Sequence, residues 1–155
     1  MTGFKPNIPL TVMDFWSDVD DAVTVDSAAA DENLPSIVVE DIPAGATIDR
    51  VVGMFKYTAR TDSSSAENYV EAAQIISIDS DVARTSVVTM INLPTGSLQV
   101  DADKKEGGDV IIGDNDVSAE VTGNATYYVT WELADVHGND MVFQDVQVGV
   151  RIYFY

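Results

Sequence analysis

The residues of this chain that could do chemistry are its carboxylates and one imidazole. Acidic pairs spaced two apart recur in turn-like stretches: Asp18-Val19-Asp20-Asp21, Asp79-Ser80-Asp81, Asp101-Ala102-Asp103 and Asp114-Asn115-Asp116. Calcium takes about six to eight hard oxygen ligands, and loop carboxylates supply them. Asp114 and Asp116 are the pair best suited to a Ca2+ ion. No stretch matches the EF-hand loop, which needs Asp-x-Asp-x-Asp/Asn-Gly and a distant Glu. The plainer reading of these pairs is turn caps, because Asp and Asn hydrogen-bond their own backbone.

The single histidine, His137, sits between Val136 and Gly138, with Asp135 and Asp140 close in sequence. A histidine base needs an orienting partner and a reactive group within reach. No Gly-x-Ser-x-Gly nucleophile elbow occurs, so an exposed turn histidine is the expected state. Two facing carboxylates would suit a glycosidase, but aromatic residues make up only 8% of the chain. No enzyme is expected, and no cofactor beyond the Ca2+ considered at Asp114 and Asp116.

The aromatics cluster late, at Tyr127, Tyr128, Trp131, Phe143, Tyr153, Phe154 and Tyr155. Tyr127, Tyr128 and Trp131 would stack on sugar rings if exposed and coplanar, which gives an alternative reading as a carbohydrate- or receptor-binding module. Core packing or a protein interface explains them equally, since Tyr and Trp serve both.

These residues must be positioned by strands. The chain ends Val146, Val148, Val150, Ile152, Phe154 on one parity, with Gln147, Gly149, Arg151, Tyr153 and Tyr155 on the other. That period of two marks a strand with one buried face. Tyr153 and Tyr155 then fall on the wet side of a monomer and are expected at an interface. Thr47 to Ala59 is apolar on both parities, as in a central strand covered on both sides or one bearing a subunit contact. Further strands are expected at 22–27, 37–39, 70–78, 86–93, 97–100 and 110–112. Residues 28–35 are expected as a linker and 101–109 as a loop. Residues 117–121 and 126–133 flank Thr122-Gly123-Asn124-Ala125 as a hairpin, and the last two hairpin units place strands in antiparallel succession. Short strands between turn signals indicate an all-β, antiparallel β-sandwich of jelly-roll type.

The 155 residues suit one domain. Residues 1–21 are expected as an extended N-terminal arm, anchored on a neighbouring subunit by Phe4, Leu10, Phe15 and Trp16, ahead of a sandwich over 22–155. An arm that covers an edge of its own sheet is the rival reading.

Asp and Glu number 26 against 8 Lys and Arg, for a net charge of -18. Phosphate recognition needs cations, so neither nucleic acid nor an anionic membrane is expected as partner. Like-charged copies repel, so self-association must overcome that repulsion, and a saline medium would screen it. There are no cysteines, which excludes disulfides and thiolate sites.

The stretches Ile42-Pro43-Ala44-Gly45-Ala46-Thr47-Ile48, Glu106 to Asp114, Gly123-Asn124-Ala125-Thr126-Tyr127 and Asn139 to Tyr155 resemble small virion proteins of tailed viruses. The resemblance carries no catalytic residue. It implies a β-sandwich that assembles in copies on a capsid or tail. The expectation is a viral structural protein, an outer capsid or decoration subunit. It would be made in the host cytoplasm and located in the virion. Its partners would be itself, as a homo-oligomer with a trimer favoured, and other virion proteins.

Overall fold

A computed structural model describes residues 9–62, 67–102, 104–138 and 140–155. Among them are nine strands and no helix: β1 (Thr11–Trp16), β2 (Asp20–Val25), β3 (Ala30–Val39), β4 (Ile48–Asp62), β5 (Gln74–Asp79), β6 (Val88–Leu93), β7 (Lys105–Ile112), β8 (Ala125–Ala134) and β9 (Met141–Phe154). β1 and β2 lie end to end along one edge of β9. Ser17 bridges the break between them: its N–H donates to the Val148 carbonyl (2.8 Å), and its hydroxyl accepts from the Val148 N–H (3.0 Å).

The chain runs as an antiparallel ribbon folded over on itself. Early strands pair with late ones: β1 and β2 with β9, β3 with β8, β4 with β7, and β5 with β6. Two further antiparallel pairings, β4 with β9 and β5 with β8, join the ribbon into two sheets. Sheet A has the order β1-β9-β4-β7 with β2 also on β9; sheet B has the order β3-β8-β5-β6. The all-β sandwich is thus observed.

One parity of each central strand fills the space between the sheets. Val146, Val148, Val150, Ile152 and Phe154 are all buried, as their spacing predicts. Phe55, Tyr57, Trp131 and Phe143 pack edge to face or tilted at its centre, with Tyr57 and Phe143 centroids 5.1 Å apart. Such pairs add about 0.5–1.5 kcal/mol each beyond the area they bury. The buried Trp131 indole donates to Gln74 Oε1 (2.7 Å), and Gln74 Nε2 donates to the Asp135 carbonyl (2.7 Å), so these core dipoles are satisfied.

Several expectations are corrected. The hairpin at 117–133 does not form. Residues 117–121 make a tight turn, with the Val121 N–H on the Val117 carbonyl (2.9 Å), while β8 pairs with β3 and β5. β8 and β9 lie in different sheets rather than in antiparallel succession. Residues 105–109, read as a loop, belong to edge strand β7, and much of the supposed linker 28–35 belongs to β3. The short strand expected at 97–100 reduces to a single bridge between Val100 and Asn68. The arm boundary at residue 21 falls inside β2. β1 and β2 pair with their own β9, and Phe15, Val23 and Val25 enter their own core. Residues 11–21 therefore cover an edge of the same sheet, because β9 offers them a full ladder of backbone partners. Phe4 lies outside the described residues.

Candidate functional site

The side chains of sheet A that point away from the core form a continuous face, and strand register sets its rows. Val12, Tyr153 and Arg50 make one row; Asp14, Arg151 and Val52 the next. Trp16, Gly149, Met54 and Ile112 make the third; Gln147, Lys56 and Val110 the fourth. Val52 and Met54 are only 4% and 1% exposed, although neither belongs to the core between the sheets. Trp16 lies flat across Gly149, where an added Cβ would come within 2.8 Å of the indole. A larger residue there would push the ring off. Lys56 Nζ sits 3.9 Å from the Trp16 ring centroid, a cation–π contact worth about 0.5–1 kcal/mol at exposed sites.

Arg151 grips Asp14 with two bonds, Nε to Oδ1 at 2.7 Å and Nη2 to Oδ2 at 2.9 Å. That hydrogen-bonded guanidinium holds the Asp14 carboxyl below the ordinary carboxylate range. Around the rows, Leu10, Val19 and Tyr155 add exposed apolar surface. Val19 and Val110 also line a groove with Lys56, Gln147 and the carboxylates of Asp109 and Asp145.

The opposite side of the sandwich carries a cleft with charges of both signs. Asp31 and Asn33 of β3, Thr130 and Glu132 of β8, and Val82 and Arg84 of the β5–β6 loop line a polar cleft. Asp31 Oδ1 accepts from the Leu133 N–H (2.8 Å). Burial, and then the charge of Asp31, push the Glu132 carboxyl above its ordinary value. The Arg84 guanidinium lies over the Tyr128 ring at 5.4 Å. Asp79 fastens the loop: Oδ1 accepts from the Asp81 N–H (2.9 Å) and Oδ2 from the Ser86 N–H (2.8 Å). Those backbone bonds hold its carboxyl below the ordinary range.

The residues singled out in the sequence are dispersed. Trp16 and Tyr153 lie half-buried on the outer face of sheet A, and Leu10 and Tyr155 are exposed at its rim. Phe15 is instead a core residue. The sugar-stacking set is overturned. Tyr127 is 2% exposed and Trp131 0%, because both occupy the inward parity of β8; Tyr128 alone faces outward, and Arg84 covers its ring. Of the Ca2+ pair, Asp116 has a structural task. Asp116 Oδ1 accepts from the Val51 N–H (3.1 Å) and the Ser118 N–H (3.0 Å), which is the work of a turn cap. Among the described residues no group of three or more His, Cys, Asp or Glu side chains could hold a metal ion. His137 stacks on Tyr69 (4.7 Å, 7°) and pairs with Glu71 at 2.9 Å.

Sequence reasoning missed the face as a unit. Its one local signal was the apolar character of both parities of β4. The cations Arg50, Lys56 and Arg151 meet only once strand order is known.

No family model and no curated protein matches the chain. Among solved structures it is similar to a chain in the structure of infectious bursal disease virus Gx strain, with 10% identity and a TM-score of 0.43. That match covers 99% of this chain, which spans 40% of the length of the other.

Proposed function

We propose that this chain is a structural subunit of a virion, an outer capsid or decoration protein that assembles in copies and has no enzymatic activity. The observation that carries the reading is the strand order. With β1 and β2 counted as one interrupted strand, the eight runs pair first with last inward to the middle pair. That order suits a jelly roll, an architecture used by viral capsid domains, lectin domains and cupins. The step from that architecture to a virion is an analogy of fold. Against the lectin branch stand the buried Tyr127 and Trp131. Against the cupin branch stands the lone histidine, occupied by Tyr69 and Glu71. The assignment to tailed viruses rests on the sequence resemblance alone.

In this reading the protein is made in the host cytoplasm, contacts itself and other virion proteins, and uses the outer face of sheet A as its contact surface. A trimer is the favoured state. Size-exclusion chromatography with light scattering over a range of protein and salt concentrations tests it. A defined oligomer is the expected result. A monomer under every condition would overturn the assembly reading.

A further inference from the structure

We propose that the cleft on the outer side of sheet B binds a neutral, polyhydroxylated ligand: a sugar. The site does not depend on the assembly reading, and it uses neither the core nor the sheet-A face. On β8, Tyr127, Val129 and Trp131 enter the core, so Thr130 and Glu132 belong to the outward parity. Register sets Asn33 of β3 opposite Thr130. The Leu133 N–H, donating to Asp31 Oδ1 (2.8 Å), fastens Asp31 to β8. The facing wall is the β5–β6 loop, which carries Arg84. Its backbone is fixed by the Asp79 bonds, by the Ala83 N–H on Asp81 Oδ1 (2.9 Å) and by the Arg84 N–H on the Asp81 carbonyl (3.0 Å). The cleft between these walls holds about 340 Å³, within the range of about 300–1,000 Å³ usual for small-molecule sites.

The observation that points to a ligand is what the fold leaves unmet there. Thr130 is only 5% exposed, and its hydroxyl has no hydrogen-bond partner. Arg84 Nε is likewise buried and without a partner. Among the described residues these are the two buried side-chain polar atoms left unpaired, and both belong to residues lining this one cleft. Such atoms are uncommon, because an unmet buried donor costs stability.

The class of ligand follows from the groups that line the cleft. Arg84 Nε only donates, the Thr130 hydroxyl donates and accepts, and the Asp31 and Glu132 carboxylates accept. A cation would suit the carboxylates but leave Arg84 Nε unmet. An anion would face two carboxylates in a chain of net charge -18. A sugar hydroxyl both donates and accepts and carries no charge. Burial and the charge of Asp31 push the Glu132 carboxyl upward; a hydroxyl donating to it would favour the ionised form. A free sugar and the terminal residue of a surface glycan present the same hydroxyls.

The test titrates the methyl glycosides of glucose, galactose, mannose and N-acetylglucosamine into the full chain, followed by protein NMR. Binding of at least one is expected, with shifts at Thr130 and Glu132. Thr130→Val and Arg84→Lys should each weaken it roughly tenfold, the scale of one hydrogen bond, and Thr130→Ser should retain it. Should Arg84→Lys fail to fold, Glu132→Gln replaces it, with a severalfold loss expected. Because the Thr130 hydroxyl has no partner in the fold, Thr130→Val should melt no lower than the wild type. A clear fall in its melting temperature would show that the hydroxyl serves the fold, directly or through a bound water, and would overturn the site. Binding by none of the glycosides, or tighter binding of the zwitterion glycine at the same residues, would overturn it too. Immobilised glycans ending in the sugar that binds then separate the sources: retention identifies a surface glycan, and no retention a free sugar, either of which upholds the site. Failure of the site leaves the assembly reading intact, since none of these measurements reads oligomeric state.

Discussion

Asp79 shows how one carboxylate in a chain full of them acquires a structural task. Its two oxygens take the backbone N–H groups of Asp81 and Ser86, and so set the β5–β6 loop against the outer side of sheet B. Asp79→Asn offers one acceptor and one donor where two acceptors are needed. The expected cost is about 1–3 kcal/mol, the range for leaving a buried donor unmet, read by urea unfolding at pH 7. The sign of the pH dependence follows from the depressed folded-state value. The carboxylate contributes fully above its unfolded value of about 3.9, and the contribution is lost as pH falls through the folded value. The gap between wild type and variant should therefore close on acidification. At the same scale, the repeated Asp-x-Asp spacing was visible in the sequence, but its use was not. Asp79 and Asp116 cap backbone donors up to 65 residues away, and no local pattern reports so distant a donor.

Among the elements, β9 could be read directly because both of its requirements are local, a buried parity and an unbroken run. β4 was read as covered on both sides or bearing a subunit contact, and Val52 and Met54 on its outer parity are buried. β7 was misread because an edge strand needs apolar residues on only part of one face. Its Gly107-Gly108 and charged neighbours look like a loop, and charge on an edge discourages unwanted pairing. Residues 11–16 were misread in the other direction, since an arm and an edge strand share a composition. Deleting residues 1–16 removes β1 with Phe15 and bares half of the β9 edge. A buried Phe alone contributes roughly 1.5–3 kcal/mol. The truncated chain should melt at lower temperature and aggregate through the exposed edge, which a thermal scan with simultaneous light scattering records. A truncated chain as stable as the full one would show that β1 contributes nothing to the fold.

For the whole molecule, 26 acids against 8 cations make repulsion a constant opponent of compactness and of assembly. Raising NaCl shortens the screening length from about 8 Å at 0.15 M to about 3 Å at 1 M. The melting temperature should rise by several degrees over that range, measured by differential scanning fluorimetry; a flat response would remove the saline reading. The sequence by itself determined the all-β class, the core parity of β9 and the sign of the molecular field, because alternation and net charge are properties of neighbours and of sums. Only the tertiary structure decided that Tyr127 and Trp131 are core. It alone placed Arg50, Lys56 and Arg151 on one face and Asp31 and Glu132 on the other. Those outcomes depend on strand order and register, which arise from pairings between the two ends of the chain that no local pattern contains.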